Sequence, residues 1–368
     1  MQWGEYRLGD LFEIVGTKSL DSNAVTFVNN GINFIGRTDE NNGKQGEIEL
    51  QKFLPNDPYT ITATVIGNYK YVKLQKEKYY CSQNINKLTP KKEYIIRWND
   101  MIAYYFICNI QKFVSLYNGQ QGGYTLDKIK NHIVQLPIKN GEIDFEFMES
   151  FVAELEAQRV AELEAYLLAT GLKDYELTDK EKEALEDYEN GRINLRELKV
   201  SDIFNVSSSK KRFDANKVEI LTKGYPYVVR TSNNNGIKGY LNENINYLNE
   251  GNTISFGQDT ATMFYQENPY FTGDKIKILK SKFKIFNKYS AQYFIGTMSK
   301  SFSSFSWGSS SFSEKVINEQ KIFVKIKDNE IDFEYIETLI LAIQKLVIRD
   351  IVLFSDRKID ATKQVIDS

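Results

Sequence analysis

Two stretches of this 368-residue chain place the same polar chemistry at what reads as the end of a strand. One is "RTDENNGKQG" (37–46) and the other is "RTSNNNGIKG" (230–239). An arginine guanidinium can grip guanine through two hydrogen bonds, and asparagine or glutamine can do the same for adenine. Arg37, Thr38, Lys44 and Gln45 in the first stretch are therefore candidate DNA contacts, as are Arg230, Thr231, Asn233, Asn234, Asn235 and Lys238 in the second. A competing reading has Arg37 and Arg230 bracing their loops against a carboxylate. Lys210, Lys211 and Arg212 in "SSSKKRFD" (207–214) suit phosphate contact, or else belong to a solvated loop. Gln258 in "FGQDTATMFY" (256–265) and Trp307 in "FSSFSWGSSSF" (302–312) sit among aromatics, hydroxyls and amides. Such residues suit base or sugar contact, or equally the edge of a core.

Other chemistries find little support. A single histidine, His132, removes His-based triads and leaves too few His and Cys ligands for a zinc site. No Walker-type phosphate loop occurs, and the glycines of "GQQGGY" (119–124) have the wrong spacing for a dinucleotide loop. A tight turn explains that stretch and its counterpart "GSSSFS" (308–313). "NDPYT" (56–60) and "NPYF" (268–271) imitate the motif of amino-methyltransferases, but each lacks one proline. Neither follows a glycine-rich turn able to hold S-adenosylmethionine, so both read as turns entering strands. A divergent S-adenosylmethionine-dependent DNA methyltransferase stays as the alternative to a chain with no catalysis of its own.

The elements that position these residues occur twice. "NGEIDFEFMESF" (140–151) returns as "DNEIDFEYIETL" (328–339). Asp144 and Asp332 read as helix N-caps, with Ile143/Met148 and Ile331/Ile336 at hydrophobic-staple spacing. "LGDLF" (8–12) is echoed by "VSDIF" (200–204), "IGRT" (35–38) by "VVRT" (228–231), and "NGKQGEI" (42–48) by "NGIKGYL" (235–241). The order never changes, which convergent helix caps would not reproduce. A tandem duplication is the economical account.

Each copy begins with short alternating apolar runs that predict strands: "YTITATVIG" (59–67), "EYIIRW" (93–98), "YPYVVRT" (225–231) and "KIKILKSKFKIF" (275–286). Extended segments "HIVQLPI" (132–138) and "KIFVKIK" (321–327) lead into the helix starts. In the first helix Met148, Phe151, Leu155, Glu162, Leu163 and Tyr166 to Leu168 approximate a 3–4 spacing, until Gly171 stops it. Thr178 and Glu181 predict a capping box for a short helix ending near Gly191. The C-terminal helix carries Phe333, Ile336, Ile340, Ile343, Val347, Ile351 (or Asp350) and Phe354. Such a seam wants a partner helix, and the first long helix is the expected one. The resulting expectation is an α+β chain with four parts: β-rich domains at 1–141 and 192–331, and helical segments at 142–191 and 332–368. The two helices would pair as an antiparallel coiled coil with pseudo-two-fold symmetry, placing the β-domains at opposite ends of a rod.

Charge follows the same division. Residues 1–141 carry 17 Lys+Arg against 13 Asp+Glu, whereas residues 142–190 carry 4 against 16. Residues 191–331 carry 21 against 13, so two basic blocks are hidden beneath a whole-chain net charge of −2. Cys81 and Cys108 are too few for a disulfide framework; both read as buried strand residues in a reducing cytoplasm. The N-terminus lacks the blocks of a signal peptide, and no run is apolar enough for a membrane span.

With these residues in view, the chain resembles the specificity subunits of Type I restriction–modification systems and their Type IIB relatives. "LGDLF" and "VSDIF", "FTGDKIKIL" (271–279), and the Gly/Ser turn leading to "LPIKNGEIDFEFME" and "VKIKDNEIDFEYIE" carry that resemblance. It implies a noncatalytic adaptor whose two target-recognition domains each read half of a bipartite double-stranded DNA site. The helices would set the spacing and dock two methyltransferase subunits, which hold S-adenosylmethionine and methylate adenine. Restriction or translocase functions, if present, would belong to a further partner subunit. The short acidic segment 172–191 departs from the family pattern.

Overall fold

In the computed structural model, which describes residues 1–119, 123–303 and 312–366 (backbone only beyond 361), the chain divides by its internal contacts into two units. Met1–Leu163 with Lys358–Ser368 make one, and Glu164–Arg357 the other, so the division falls inside both long helices.

The first unit holds an antiparallel sheet in the order Phe12–Gly16, Ile85–Pro90, Thr60–Thr64, Lys73–Gln75. A second sheet runs Phe27–Val28, Lys44–Ile48, Ile32–Ile35, Tyr79–Cys81, and its last pair is parallel. The second unit repeats this order with Phe204–Ser208, Ile276–Ser281, Thr253–Gly257 and Met263–Gln266. Its other sheet, Ile237–Leu241, Tyr225–Val228, Phe271–Thr272, also closes on a parallel pair.

Hydrogen bonds repeat as faithfully as topology. Thr60 and Tyr79 share a hydroxyl pair at 2.8 Å, and Thr253 and Tyr270 share one at 3.1 Å. Gln75 donates to the Asn42 carbonyl and to Thr62, while Gln266 donates to the Asn235 carbonyl and to Ser255. Asp144 caps its helix through the Phe147 N–H at 2.9 Å, and Asp332 does so through Tyr335 at 3.1 Å. Buried polar groups must find partners to offset desolvation. A fold that solves this identically at matched positions twice is a duplicated fold.

The basic blocks are less purely β than their residue patterns suggest. "EYIIRW" is not a strand: Tyr94–Trp98 is irregular, and Asp100–Ser115 behind it is a helix capped by the Asn99 side chain. Lys288–Phe302, capped by Asn287, is its counterpart. Ile102, Ala103, Phe106, Ile110 and Phe113 bury one face of the first, and Ala291, Phe294, Met298 and Phe302 bury one face of the second. The strand-like sequence around residue 95 gives no hint of this, because aromatic-rich helices and strands share composition and differ only in period. Cys108 lies exposed on that helix, contrary to the expectation of a buried strand position; Cys81 is buried in its strand, and burial pushes its thiol up to about 12.

The long helices run over Phe145–Ala169 and Phe333–Ile366, with Gly171 just past the first at a positive φ of 70°. The capping box at Thr178 and Glu181 forms as expected and starts the helix Asp179–Glu189. The expected seam is displaced. Phe333 and Ile336 are buried, but the stripe continues through Leu339, Ala342, Val352 and Ser355, while Val347 is 72% exposed and Ile343, Ile351 and Phe354 are open. Phe151 and Leu155 are also exposed. A shift of one position along a helix turns its face by ~100°. Over Tyr335 to Lys345 the insert, with helix Asp179–Glu189, meets the C-terminal helix, whereas further on Ser355 donates to Glu164 of the first long helix at 3.2 Å. Tyr335 donates to the Ala184 carbonyl at 2.9 Å, and Lys345 reaches Asp174 at 2.9 Å, Glu181 at 3.2 Å and the Glu176 carbonyl at 2.8 Å.

Candidate nucleic-acid interface

Arg37 and Arg230 both follow a buried strand end, and each enters a turn built from asparagines. Asn41 and Asn42 have φ of 42° and 54°, and Asn234 and Asn235 have 47° and 53°. Asparagine tolerates this left-handed region because its side chain can bond locally. It does so here. Asn41 donates to the Lys44 carbonyl and Asn234 to that of Ile237; Asn42 donates to Leu74 and Asn235 to Tyr265. Thr38 and Thr231 close the same turn by accepting from the N–H groups of Glu40 and Asn233.

This geometry divides the sequence candidates. The Asn234 and Asn235 carboxamides each spend one N–H on a backbone carbonyl, which fixes their orientation to the turn and leaves one N–H and the amide oxygen of each. Thr38 and Thr231 likewise serve the turn. Gln258 donates to the Phe312 carbonyl at 2.9 Å, and Lys44 pairs with Glu47 at 2.6 Å. That lysine, with the Gly31 N–H, holds the Glu47 carboxyl below its ordinary range. Trp307 lies outside the described residues. Arg37, Gln45, Asn233 and Lys238 project outward at the turn.

In the first unit Arg37 and Gln45 line a polar pocket of about 300 Å³ with Ser22, Ile66, Gly67, Tyr71, Ser82 and Gln83. Gln45 lies across Gly36, where an added Cβ would fall 2.2 Å from its side chain. Its amide oxygen faces the Ser22 hydroxyl at 3.5 Å. Among the described residues Arg37 has no ion-pair partner. The pocket thus offers one free guanidinium beside two carboxamides and several hydroxyls. Its acceptors and donors match base edges better than they match a metal or a small apolar ligand.

The second unit builds something different on the same frame. A cleft of about 370 Å³ is lined by Ser208, Ser209, Lys210, Lys211, Arg212, Gln258, Lys275, Ile276 and Lys277. Lys277 is only 12% exposed and is held by Glu314 at 2.6 Å and Ser208 at 2.7 Å. The Lys277 ammonium first, then the Ser208 hydroxyl donating to Glu314 at 2.8 Å, pull the Glu314 carboxyl down. Arg212 pairs with Asp274 at 3.0 Å, and Arg230 with Asp259. Lys211 stands over the rings of Phe213 and Tyr247 at 4.7 and 4.4 Å. Aromatic faces can hold an ammonium without neutralising it. Lys210, at the mouth of the cleft, has no ion-pair partner among the described residues. The bracing of Arg230 is the competing reading stated for it; Arg37 has no such brace.

Sequence inspection passed over Ser22, Tyr71, Ser82, Gln83, Asp259 and Lys275. One signal could have found Lys275. Lys275 and its counterpart Asn84 share left-handed φ values of 58° and 61°, a turn position visible once the two copies are aligned. The methyltransferase-like "NDPYT" resolves as a turn brace: Asn56 donates to the Tyr79 carbonyl, as Asn249 does to Tyr270.

The specificity subunit S.BcgI of a Type II restriction enzyme from Heyndrickxia coagulans is 20% identical over 354 residues, covering 95% of this chain and 96% of its own length. The structure of a Type I restriction–modification S subunit from M. genitalium superposes with a TM-score of 0.59 at 15% identity, covering 100% of this chain and 94% of that one. The family pattern for the Type I restriction modification DNA specificity domain matches twice, over residues 1–165 and 194–351. Matching most of the chain once per copy, it shows that the protein belongs to the family of Type I restriction–modification DNA specificity domains.

Proposed function

We propose that this chain, a DNA-specificity subunit of a restriction–modification system, performs no chemistry itself and supplies two unlike readers to a methyltransferase complex. Residues 1–141 and 192–331 are the readers, each addressing one half of a bipartite double-stranded site. The observation that carries this reading is one hydrogen-bonded frame built twice with different outward groups. A duplicated frame keeps a common docking geometry, whereas different polar groups select different bases. Arg37, Gln45, Arg230, Lys238 and Asn233 are the proposed base contacts, and Lys210, Lys211 and Arg212 the phosphate contacts.

Segments 142–191 and 332–368 act in this proposal as an antiparallel spacer of pseudo-two-fold character. Ion pairs between the helices support it: Lys358 with Glu156 at 2.6 Å in the first unit, and Asp356 bridged by Lys173 to Glu164 in the second. The open stripe of Ile343, Val347, Ile351 and Phe354 is suited to docking methyltransferase subunits, two by symmetry, that bring S-adenosylmethionine and modify adenine. A restriction or translocase subunit would join through the same assembly. Two unpaired cysteines suit a cytoplasmic complex. No helix among the described residues is long and apolar enough to cross a membrane.

Methylome sequencing of a host with and without the gene tests the whole reading. The expected difference is one asymmetric motif of two defined half-sites around an unspecified gap. No lost motif, or tight S-adenosylmethionine binding by the isolated chain, overturns it in favour of another function.

A further inference from the structure

Three charged side chains converge in the second reader at a place where the first has Arg37 alone. Asp259 accepts from the Arg230 guanidinium and, at 2.9 Å, from the Lys275 ammonium. It sits in the turn after strand Thr253–Gly257, which is closed by the Gly257 N–H on Thr262 at 2.9 Å and by the Thr260–Thr262 hydroxyl pair at 2.8 Å. Ala261 in that turn is held at a φ of 50°. A left-handed alanine persists only where its surroundings over-determine it. The Arg230 stem crosses Gly257 so closely that an added Cβ would lie 3.3 Å from its Cγ. The arginine is therefore guided at its stem and clamped at one Nη.

We propose that Asp259 is a positioning residue for DNA reading, holding Arg230 by one edge so that its remaining N–H groups present a fixed fork to a guanine. This rests on the reading of the chain as a DNA-specificity subunit. A guanidinium has five N–H donors in a rigid plane, so one acceptor occupies one edge and leaves another free. Lys275 offsets the carboxylate's repulsion of nearby phosphate, and the trio keeps a net positive charge. The first reader has Ile66 at the matched position, so no carboxylate there clamps Arg37 in its polar pocket. The two half-sites are consequently read by a fixed arginine and by a free one.

Selection of the full-length chain on randomised duplex DNA, with wild type, Asp259→Ala, Asp259→Asn and Arg230→Ala, tests this. Asp259→Ala is expected to lose about tenfold affinity for the selected site and most of its preference at one guanine of one half-site. Its affinity for unrelated DNA should hold or rise, because a negative charge has gone. Asp259→Asn, keeping an acceptor, should recover part of the preference, and adding Asp259→Ala to Arg230→Ala should cost little more. Equal loss on all sequences together with a lower Tm would make Asp259 merely structural and overturn the proposal. Unchanged base preference with uniformly higher affinity would overturn it too. A wild-type chain selecting no sequence would instead sink the functional reading on which it stands.

Discussion

The two recognition domains share their skeleton and differ in their charges. Gly36, Gln45, Ile66, Gln83, Asn84 and Asn86 in the first correspond to Val229, Lys238, Asp259, Asp274, Lys275 and Lys277 in the second. At four of these six positions, Gln45, Ile66, Gln83 and Asn84, a neutral residue in the first domain faces a charged one in the second. Three inward pairs hold fast: Tyr79 with Tyr270, Gln75 with Gln266, and Asn56 with Asn249 keep both type and partner, whereas buried Asn86 gives way to Lys277, which has Glu314 to pair with. The difference is physical. An inward polar group loses its hydrogen bond if its type changes, whereas an outward one exchanges one hydrated state for another. Duplication followed by relaxed outward positions yields two readers of unlike chemistry on one frame.

Core truncation tests the shared half of that comparison with the largest effect. Phe106 and Phe294 occupy matched helix positions and are fully buried. Replacing either by alanine should cost ~3–5 kcal/mol. Calorimetry should show the loss in one transition for Phe106→Ala and in another for Phe294→Ala. A single transition shifted equally by both would mean that the domains are not independent units.

The acidic insert belongs to the second unit alone. Lys345 is 13% exposed and Glu181 8%, so Lys345→Ala strands a nearly buried carboxylate, at a cost of about 3 kcal/mol. Lys345 lowers the carboxyl of Asp174; burial pushes Glu181 upward, but Thr178 and Lys345 outweigh it, so its net shift is also down. Groups whose folded pKa is depressed contribute stability above their unfolded value, near ~4, and lose it as pH falls through the lower folded one. Hydrogen exchange should therefore show residues 179–189 fully protected at neutral pH and opening below about pH 4. Unchanged protection at pH 3 would mean that apolar contacts alone hold the insert.

Charge asymmetry predicts unequal salt dependence. Each phosphate contact contributes ~0.9 to the slope of log affinity against log salt. Lys210→Ala with Lys211→Ala should flatten the slope by up to ~2, while Lys18→Ala, which removes an ammonium 4.2 Å from the Phe53 ring, should flatten it by ~1 at most. Equal effects would show that both domains grip the backbone alike. The smallest expected effect comes from Ile66→Asp, which places a clamp beside Arg37. It should sharpen base preference in the first half-site by a few-fold, equivalent to ~1 kcal/mol. A loss of preference there would mean that Arg37 must stay unclamped to read.

Duplication, the Asp144 and Asp332 caps, the capping box at Thr178 and the turn beginning at Arg37 and Arg230 were legible because each depends on contacts only a few residues apart. Local hydrogen bonds leave local spacings. The face that the C-terminal helix buries was not legible. Apolar residues surround much of that helix, and Leu339 and Ala342 are buried while Ile340 is half-buried and Ile343 exposed, a choice set by elements distant in sequence, the insert among them. The roles of the polar turn residues were equally hidden. In sequence, Asn233, Asn234 and Asn235 are equivalent, yet two of their amides are held by the Ile237 and Tyr265 carbonyls. Arg37 and Arg230 also match, and only Asp259, 29 residues downstream of Arg230, separates the clamped arginine from the free one. Sequence alone determined the repeated frame, since spacing encodes period and cap. Tertiary structure decided which of its polar groups are free to bind, because a hydrogen bond spent across the fold leaves no mark on the residue that spends it.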